Sequence, residues 1–292
     1  MKTNKINIPS VNFHLWEPCN FRCNFCFASF QDVKKTILPK GHLPKEQAMQ
    51  VVKLLAESGF EKITFAGGEP TLCPWISDLI ALAKDYGMTT NLVTNGWAIL
   101  KRPELLKDLA QNLRWLTVSI DSMYADINTI SGRALCSKQA ITKDEYSLLI
   151  EQAQKHELRI KINTVVHQLN WQEPLWEFME EVKPERWKIF QVLPVNGQND
   201  EHFDDYSISN EQFQYFLNLN KLAANFTTIV PESNELMRAS YVMVDPAGRF
   251  FDNITGGHIY SNPIIELGVR EALDRICIDS HLFKIRGGEY KW

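Results

Sequence analysis

The order of elements along the chain predicts an α/β fold: a partial (β/α)6 barrel of the TIM type with a C-terminal extension. Three observations carry this. Short β-rich runs alternate with longer helical patterns. The runs show little polar alternation, as in a parallel sheet whose outer face helices cover. Six such units are too few to close an eight-strand barrel.

The predicted strands cover residues 11–16, 62–66, 90–94, 116–120, 159–166 and 187–193. Between them, apolar residues at helical spacing predict helices over 44–58, 75–86, 103–113, 142–156 and 172–182. Gly59 and Gly87 stand where helix-ending glycines belong, and Pro44 and Pro103 suit first-turn positions. Past residue 195 the rhythm breaks. A polar, acidic loop (196–206) leads to a helix from Ser209, a short strand at 228–230, a hairpin-like run over 241–251 and a helix over 263–276. We read residues 1–195 as the barrel and 196–292 as an extension that closes it.

At 292 residues the chain buries enough surface to hold a core without disulfides. Apolar residues at 45% and charged residues at 23% argue against disorder. Lys plus Arg total 31 against 35 Asp plus Glu, a net charge of −4, which speaks against a nucleic-acid coat or a polybasic membrane patch. Residues 1–10 are polar with two lysines and no apolar stretch, so no signal peptide is read, and no apolar run is long enough to span a membrane. The expected setting is cytoplasmic.

Three of the six cysteines crowd together in Cys19-Asn-Phe-Arg-Cys23-Asn-Phe-Cys26, directly after the first predicted strand. Three ligands fall short of the four of a structural zinc and suit a 4Fe–4S cluster with one open iron. Incidental thiols, or a zinc completed by His14 or His42, stay open on the cysteines alone. A second signal follows the next strand, Ala66-Gly67-Gly68-Glu69-Pro70. At the C-terminal end of a barrel strand, its free backbone groups and the glutamate can meet a ligand's amino group.

CxxxCxxC followed by GGEP resembles the radical S-adenosylmethionine superfamily, over about the first two hundred residues. The resemblance implies that Cys19, Cys23 and Cys26 bind a 4Fe–4S cluster whose open iron S-adenosylmethionine chelates, and that reduction yields a 5′-deoxyadenosyl radical. Further stretches narrow the resemblance to the viperin family: Val11-Asn-Phe-His-Leu, Glu61 through Pro70, Lys161-Ile-Asn163, Arg186-Trp-Lys-Ile-Phe-Gln191, Val230-Pro-Glu-Ser-Asn234 and Arg286-Gly-Gly-Glu-Tyr290. That family converts CTP to its 3′-deoxy-3′,4′-didehydro derivative, an antiviral chain terminator.

The residues bear independently on such a substrate. Lys62, Lys161, Arg186 and Lys188 fall on or beside barrel strands, where alternate residues point together. Any one of them alone reads as a solvated strand-end cation, but several sharing a buried lumen of an acidic protein need a polyanion, and a triphosphate is one. Arg286-Gly287-Gly288 is a second phosphate candidate, because glycines let backbone N–H groups fold around an anion; a disordered tail is the alternative.

Carried over residue by residue, the resemblance puts the cofactor's methionine carboxylate on Ser119 and Arg133 and its amino group on Gly67, Gly68, Glu69 and Pro70. Thr94 and Asn95 line the adenosine side, with Phe25 beside the last cysteine. Asn12, Lys62, Lys161, Asn163, Arg186 and Lys188 would hold the nucleotide, and the Arg286-Gly287-Gly288 tail would close over the γ-phosphate. Tyr241 is the candidate proton donor to the 3′ hydroxyl that leaves after the 4′ hydrogen is removed; a buried tyrosine with a satisfied hydroxyl is the alternative. The implied partners are a nucleoside triphosphate and a flavodoxin- or ferredoxin-like electron donor, for a monomer with no nucleic acid or membrane.

Three departures from the animal pattern stand out. The animal proteins carry an N-terminal amphipathic helix, whereas here the enzyme domain begins almost at Met1, so the expectation is a soluble microbial form. The loop over 28–43 is longer, and Ala66 replaces a serine, which leaves the choice among CTP, UTP and GTP open. Two rival readings are kept. One is a peptide-modifying radical enzyme, which would carry additional clusters; Cys73, Cys136 and Cys277 lack paired spacing and are read as buried thiols. The other is a zinc-stabilised RNA-binding module, against which stands the lack of an aromatic platform or a basic face. Trp75, Trp97, Trp171 and Trp176 are read as packing residues, and His167 and His202 as structural.

Overall fold

The computed structural model describes residues 8–292; the start of the stretch read for a signal peptide, residues 1–7, lies outside the described residues. Seven strands follow one another in parallel register: β1 (Ser10–Trp16), β2 (Lys62–Gly67), β3 (Thr89–Thr94), β4 (Trp115–Ser119), β5 (Arg159–Val166), β6 (Arg186–Gln191) and β7 (Thr228–Glu232). β8 (Val242–Val244) joins the free side of β1, also in parallel, and continues antiparallel into β9 (Arg249–Asp252) and β10 (Ile259–Pro263). The sheet of ten strands therefore runs β10-β9-β8-β1-β2-β3-β4-β5-β6-β7 and does not close. The first six strands sit where the sequence predicts them, within two residues at each end. β7 and β8 both come from beyond residue 195 and flank the sixfold unit on opposite sides.

The helices, in chain order, are α1 (Gln31–Thr36), α2 (Lys45–Glu57), α3 (Ile76–Asp85), α4 (Trp97–Lys101), α5 (Pro103–Ala110), α6 (Ala125–Ile130), α7 (Lys143–Lys155), α8 (Trp176–Val182), α9 (Phe203–Tyr206), α10 (Asn210–Leu219), α11 (Asn234–Met237), α12 (Ile264–Leu267), α13 (Val269–Leu273) and α14 (Ser280–Ile285). α2 buries Ala48, Val51, Val52 and Leu55, the single stripe of a surface helix laid on a sheet. α7 and α10 open on reciprocal capping boxes, Thr142 with Glu145 and Ser209 with Gln212, which satisfy N–H groups that a helix start leaves orphaned. None of the helices among the described residues is long and apolar enough to cross a membrane.

Three expectations need correction. The helix read over 172–182 begins only at Trp176, because Pro174 disfavours helical geometry in the residue before it. Asn220 Oδ1 instead accepts from the Leu175 and Trp176 N–H groups at 2.6 and 3.0 Å. The helix read over 263–276 is two short helices, broken where Gly268 adopts φ 78°, ψ 161°. And the barrel strands do alternate. Val11, Phe13, Ile63, Phe65, Leu92, Leu116, Val118, Ile162 and Ile189 are buried against the helices. Their neighbours Asn12, Thr64, Asn91, Thr117, Lys161, Asn163 and Lys188 turn into the barrel. Thr117 donates to Asn91, and Asn91 to Thr64, at 2.8 and 3.3 Å, so the inner polar side chains knit adjacent strands together.

Candidate functional site

The barrel interior encloses a cavity of about 730 Å³, lined from the cysteine loop at the C-terminal ends of the strands down to the last residues of the chain. Cys19, Cys23 and Cys26 border its mouth and lie close enough to act on one another electrostatically. Burial pushes each thiol up, Cys23 to about 12, so loading these sulfurs with metal must release protons. Among the described residues no three His, Cys, Asp or Glu side chains converge tightly enough for one metal ion. A cubane cluster asks for less convergence, since its three thiolates bind separate irons, and three thiols opening on one cavity suit it.

Backbone contact shapes this mouth. A Cβ on Gly67 would lie 2.3 Å from the Trp16 carbonyl oxygen, and one on Gly68 2.0 Å from that of Glu17. Only glycines let the end of β2 lie flat against the start of the cysteine loop. A Cβ on Gly132 would likewise lie 2.0 Å from the Arg22 carbonyl oxygen, and this approach brings Arg133 beside the loop. Glu69 is fully buried, and burial raises its carboxyl against the pull of its hydrogen bonds. It accepts from the Thr71 N–H and hydroxyl, from the Thr94 hydroxyl at 2.7 Å and from the Asn95 N–H at 2.7 Å. It thereby ties the loops after β2 and β3 together. Pro70 does not reach the cavity; it opens a short 3-10 turn (Pro70–Leu72).

Ser119 and Arg133 line the same upper region, with Arg133 paired to buried Asp121 and its guanidinium 5.5 Å from the Phe25 ring centroid. Burial works against the Arg133 charge, and Asp121 more than restores it. Phe25 packs on His167, ring centroids 4.8 Å apart, and the Leu169 N–H donates to His167 Nδ1 at 3.2 Å. His202 stands exposed at the cavity rim.

Lower down, parallel register fixes the polar layers. Asn163 pairs with Lys188 and Lys161 with Arg186 across β5 and β6, and Ser119 pairs with Asn163 across β4 and β5. Asn12, Lys62, Lys161, Asn163, Arg186, Lys188, Arg286, Gly287 and Gly288 all line the cavity, so the substrate candidates read from sequence meet in one place. Among the described residues Asn163 Oδ1 and Arg186 Nε are buried with no hydrogen-bond partner, which suits atoms that await a ligand. Lys62 and Lys161 are 6% and 3% exposed, and both ammonium groups donate to the Tyr290 hydroxyl. Burial first, and the neighbouring Lys188 charge second, push Lys62 down to about 7. Burial and Lys62 hold Lys161 well below the usual lysine range.

Lys188 donates to the Tyr241 hydroxyl at 2.5 Å and lies 2.6 Å from Glu232 Oε1. Tyr241 donates to the other oxygen of Glu232, and the Arg286 guanidinium lies 3.5 Å over the tyrosine ring. Arg286 also donates twice to the Ser240 carbonyl oxygen, at 2.9 and 3.1 Å. The Gly287 and Gly288 N–H groups donate to Lys284 and Phe283 carbonyl oxygens at 2.9 Å each. Those are the two bonds of a Schellman cap on α14. The glycine pair thus ends a helix in this structure and spends there the N–H groups that sequence reading offered to a phosphate.

Sequence reading passed over Glu232, Tyr290 and Asp121. Each is defined by a distant partner, although Glu232 and Tyr290 lie inside stretches that carry the family resemblance. The zinc alternatives find no support. His14 sits among Phe27, Phe30 and Phe251, with burial pushing it down to about 3, and His42 stacks on Trp16 with centroids 3.9 Å apart. Cys73 is buried as expected, but Cys136 and Cys277 are exposed. Cys136 lies on a surface turn at φ 48°, and Cys277 follows the last turn of α13. Of the four tryptophans, Trp97 is buried and Trp75, Trp171 and Trp176 are half-buried.

Residues 16–182 match the Radical SAM superfamily family description. A Flammeovirga pacifica protein called S-adenosylmethionine-dependent nucleotide dehydratase is 50% identical over 287 residues, covering 98% of this chain and 96% of that protein. A Lacinutrix mariniflava protein of the same name is 50% identical over 292 residues; the chain spans 60% of its length. The Oncorhynchus mykiss protein called S-adenosylmethionine-dependent nucleotide dehydratase RSAD2 is 34% identical over 293 residues, 97% of this chain and 80% of that one. Among solved structures, Streptococcus suis SuiB bound to S-adenosylmethionine superposes with a TM-score of 0.69 at 16% identity, over 99% of this chain and 70% of SuiB. The anSMEcpe enzyme with bound AdoMet and a peptide gives 0.69 at 18% identity, over 95% and 83%. At such identities the two structures establish the fold alone.

Proposed function

Since this chain belongs to the radical S-adenosylmethionine superfamily and, within it, to the viperin-like S-adenosylmethionine-dependent nucleotide dehydratases, we propose that it converts CTP to 3′-deoxy-3′,4′-didehydro-CTP. The observation that carries the substrate class is the pair of buried lysines on the cavity floor, Lys62 and Lys161, which meet at a tyrosine hydroxyl. Two such amines are stable as cations only beside an anion, and a triphosphate entering the barrel is one.

Cys19, Cys23 and Cys26 would hold the 4Fe–4S cluster, with S-adenosylmethionine between Glu69 on one side and Ser119 and Arg133 on the other. When bound, this pair supplies the 5′-deoxyadenosyl radical that removes the ribose 4′ hydrogen. The chain's own part is positioning and proton supply. Lys62, Lys161 and Arg186 fix the phosphates at the floor, which sets the sugar at the level of Asn12, Asn163 and Tyr241. The Tyr241 hydroxyl protonates the departing 3′ oxygen. A low-potential one-electron carrier of the flavodoxin or ferredoxin class provides the electron that completes the double bond. The product lacks a 3′ hydroxyl, so a polymerase that incorporates it cannot extend the strand; an antiviral role follows from that chemistry.

The loop over 28–43 contributes Ala28, Ser29, Gln31, Lys34 and Lys35 to the cavity wall, which supports a role for this departing part of the chain in the choice of base. The test is anaerobic turnover of the reconstituted protein with S-adenosylmethionine, dithionite and each of CTP, UTP, GTP and ATP. CTP-dependent 5′-deoxyadenosine with loss of one water from CTP is expected. Preference for another base would overturn the choice of CTP, and cofactor cleavage independent of any nucleotide would overturn the substrate class.

A further inference from the structure

Behind the cavity wall stands a buried carboxylate. Glu232 on β7 is wholly buried and lies outside the cavity lining, yet three functional groups converge on it. Lys188 comes from β6 at 2.6 Å, the Tyr241 hydroxyl from just before β8, and Arg286 from the end of α14 at 3.6 Å. The Lys188 ammonium also donates to the Tyr241 oxygen at 2.5 Å. The tyrosine hydroxyl thus receives one proton-bearing group while its own proton rests on the carboxylate.

Resting on the dehydratase reading, the geometry points to Lys188 as the proton reservoir that refills Tyr241 during loss of the 3′ hydroxyl, with Glu232 as the positioning residue that keeps the lysine charged and aimed. The physical need is specific. Burial and the adjacent Glu232 hold the Tyr241 hydroxyl well above its usual value, with Arg286 opposing them. A lasting tyrosinate beside Glu232 is therefore costly, and a proton given to the substrate must be replaced as it leaves. Lys188 already directs an N–H at the vacated oxygen. Burial pushes Lys188 down to about 8 and Glu232 works against that fall, a value suited to a donor at neutral pH. The other groups acting on it are Arg186 on its own strand, Arg286, and the floor lysines Lys62 and Lys161.

In the step itself, the Tyr241 hydroxyl turns off Glu232 toward the cavity, its O–H bond breaks as an O–H bond forms on the 3′ oxygen, and a Lys188 N–H bond breaks to restore the tyrosine. The C3′–O bond then parts with its electron pair, so water leaves. The external one-electron donor fills the resulting sugar radical cation to give the double bond. Lys188 ends neutral and regains its proton from solvent after product release.

The test compares Glu232→Gln and Lys188→Arg with the wild-type holoprotein, using CTP, S-adenosylmethionine and dithionite. The readout is dehydrated nucleotide formed per 5′-deoxyadenosine across pH 6.5 to 9. In the wild type this yield should fall above about pH 8. In Glu232→Gln the fall should begin about one pH unit lower or more, because the opposite charge is gone. Lys188→Arg keeps the cation but does not release its proton, so its yield should drop about a hundredfold at pH 7 while CTP still drives 5′-deoxyadenosine formation. A wild-type yield in Lys188→Arg, or an unmoved limb in Glu232→Gln, overturns the relay. Nuclear magnetic resonance of isotope-labelled lysine ammonium groups in the oxidised holoprotein gives a readout free of turnover. The Lys188 titration should move down in Glu232→Gln, and an unmoved titration overturns the pairing. A wild-type protein that dehydrates no nucleotide at any pH defeats the dehydratase reading instead, and the ammonium titration still decides whether Glu232 holds Lys188.

Discussion

Triphosphate binding to this protein should be a proton-uptake reaction, and its pH dependence can be worked from the cavity floor. Lys62, pushed down to about 7, is half protonated at pH 7 in the free protein. Beside a bound polyanion the same amine is held charged, since an opposite charge within hydrogen-bonding reach favours the ammonium form. The sign follows directly: alkaline solution neutralises Lys62, and binding must then draw a proton from water. At pH 8.5 only about one thirtieth of Lys62 carries its proton, so the apparent dissociation constant for CTP should rise about sixteenfold from its pH 7 value. Lys161, which burial and the Lys62 charge also hold well below the usual lysine range, adds to the trend. Isothermal titration calorimetry at pH 7.0 and 8.5, in two buffers of different ionisation enthalpy, measures both the constant and the protons taken up. Lys62→Met removes the contribution of this amine and leaves that of the nucleotide's own phosphates. A dissociation constant equally flat in wild type and Lys62→Met, with no buffer-dependent heat difference, would refute the reasoning.

Three further outcomes are expected. Gly68→Ala places a methyl 2.0 Å from the Glu17 carbonyl oxygen, so backbone must shift; a loss of about 1–3 kcal/mol in thermal or denaturant unfolding, together with weakened S-adenosylmethionine binding, is anticipated. Arg133→Leu removes the cation assigned to the cofactor carboxylate and leaves buried Asp121 unpaired. S-adenosylmethionine affinity, measured by equilibrium dialysis, should drop about 10- to 100-fold, with an unchanged value refuting the assignment. Cys23→Ser should abolish the visible cluster absorption and most bound iron after reconstitution, whereas the same change at exposed Cys136 should leave the iron content alone.

The first six barrel strands were legible because each is an uninterrupted run framed by turn residues and helices. What misled was the lumen. Asn12, Lys62, Thr64, Lys161 and Lys188 face inward where a packed barrel would carry aliphatic side chains, and the expected absence of alternation came from reading both faces as core. Helix limits failed where a single tertiary contact outweighed local pattern, as when Asn220 supplies the cap for a helix that starts at Trp176. The cysteine trio was legible because its members are neighbours in sequence. Glu232 and Tyr290 were not, because the meaning of each resides in partners far along the chain: the Tyr290 hydroxyl meets Lys62 and Lys161, 228 and 129 residues away. No local spacing encodes such a junction. Arg286-Gly287-Gly288 lines the cavity with the other substrate candidates, and what the sequence does not reveal is that its glycine N–H groups also complete a helix end.

The pairing of β1 with β8 has an evolutionary corollary. Val11, Asn12 and Phe13 lie in register with Val242, Met243 and Val244. β1 delivers the cysteine loop, and the residue just before β8 is Tyr241. The site of radical entry and the proposed acid are therefore spaced by main-chain hydrogen bonds, which substitutions elsewhere leave alone. The 28–43 loop, by contrast, meets the cavity from outside the sheet. On the function proposed above, reaction geometry and base choice would ride on separable pieces of backbone, so that a lineage could exchange that loop and explore new bases while the chemistry stays in place.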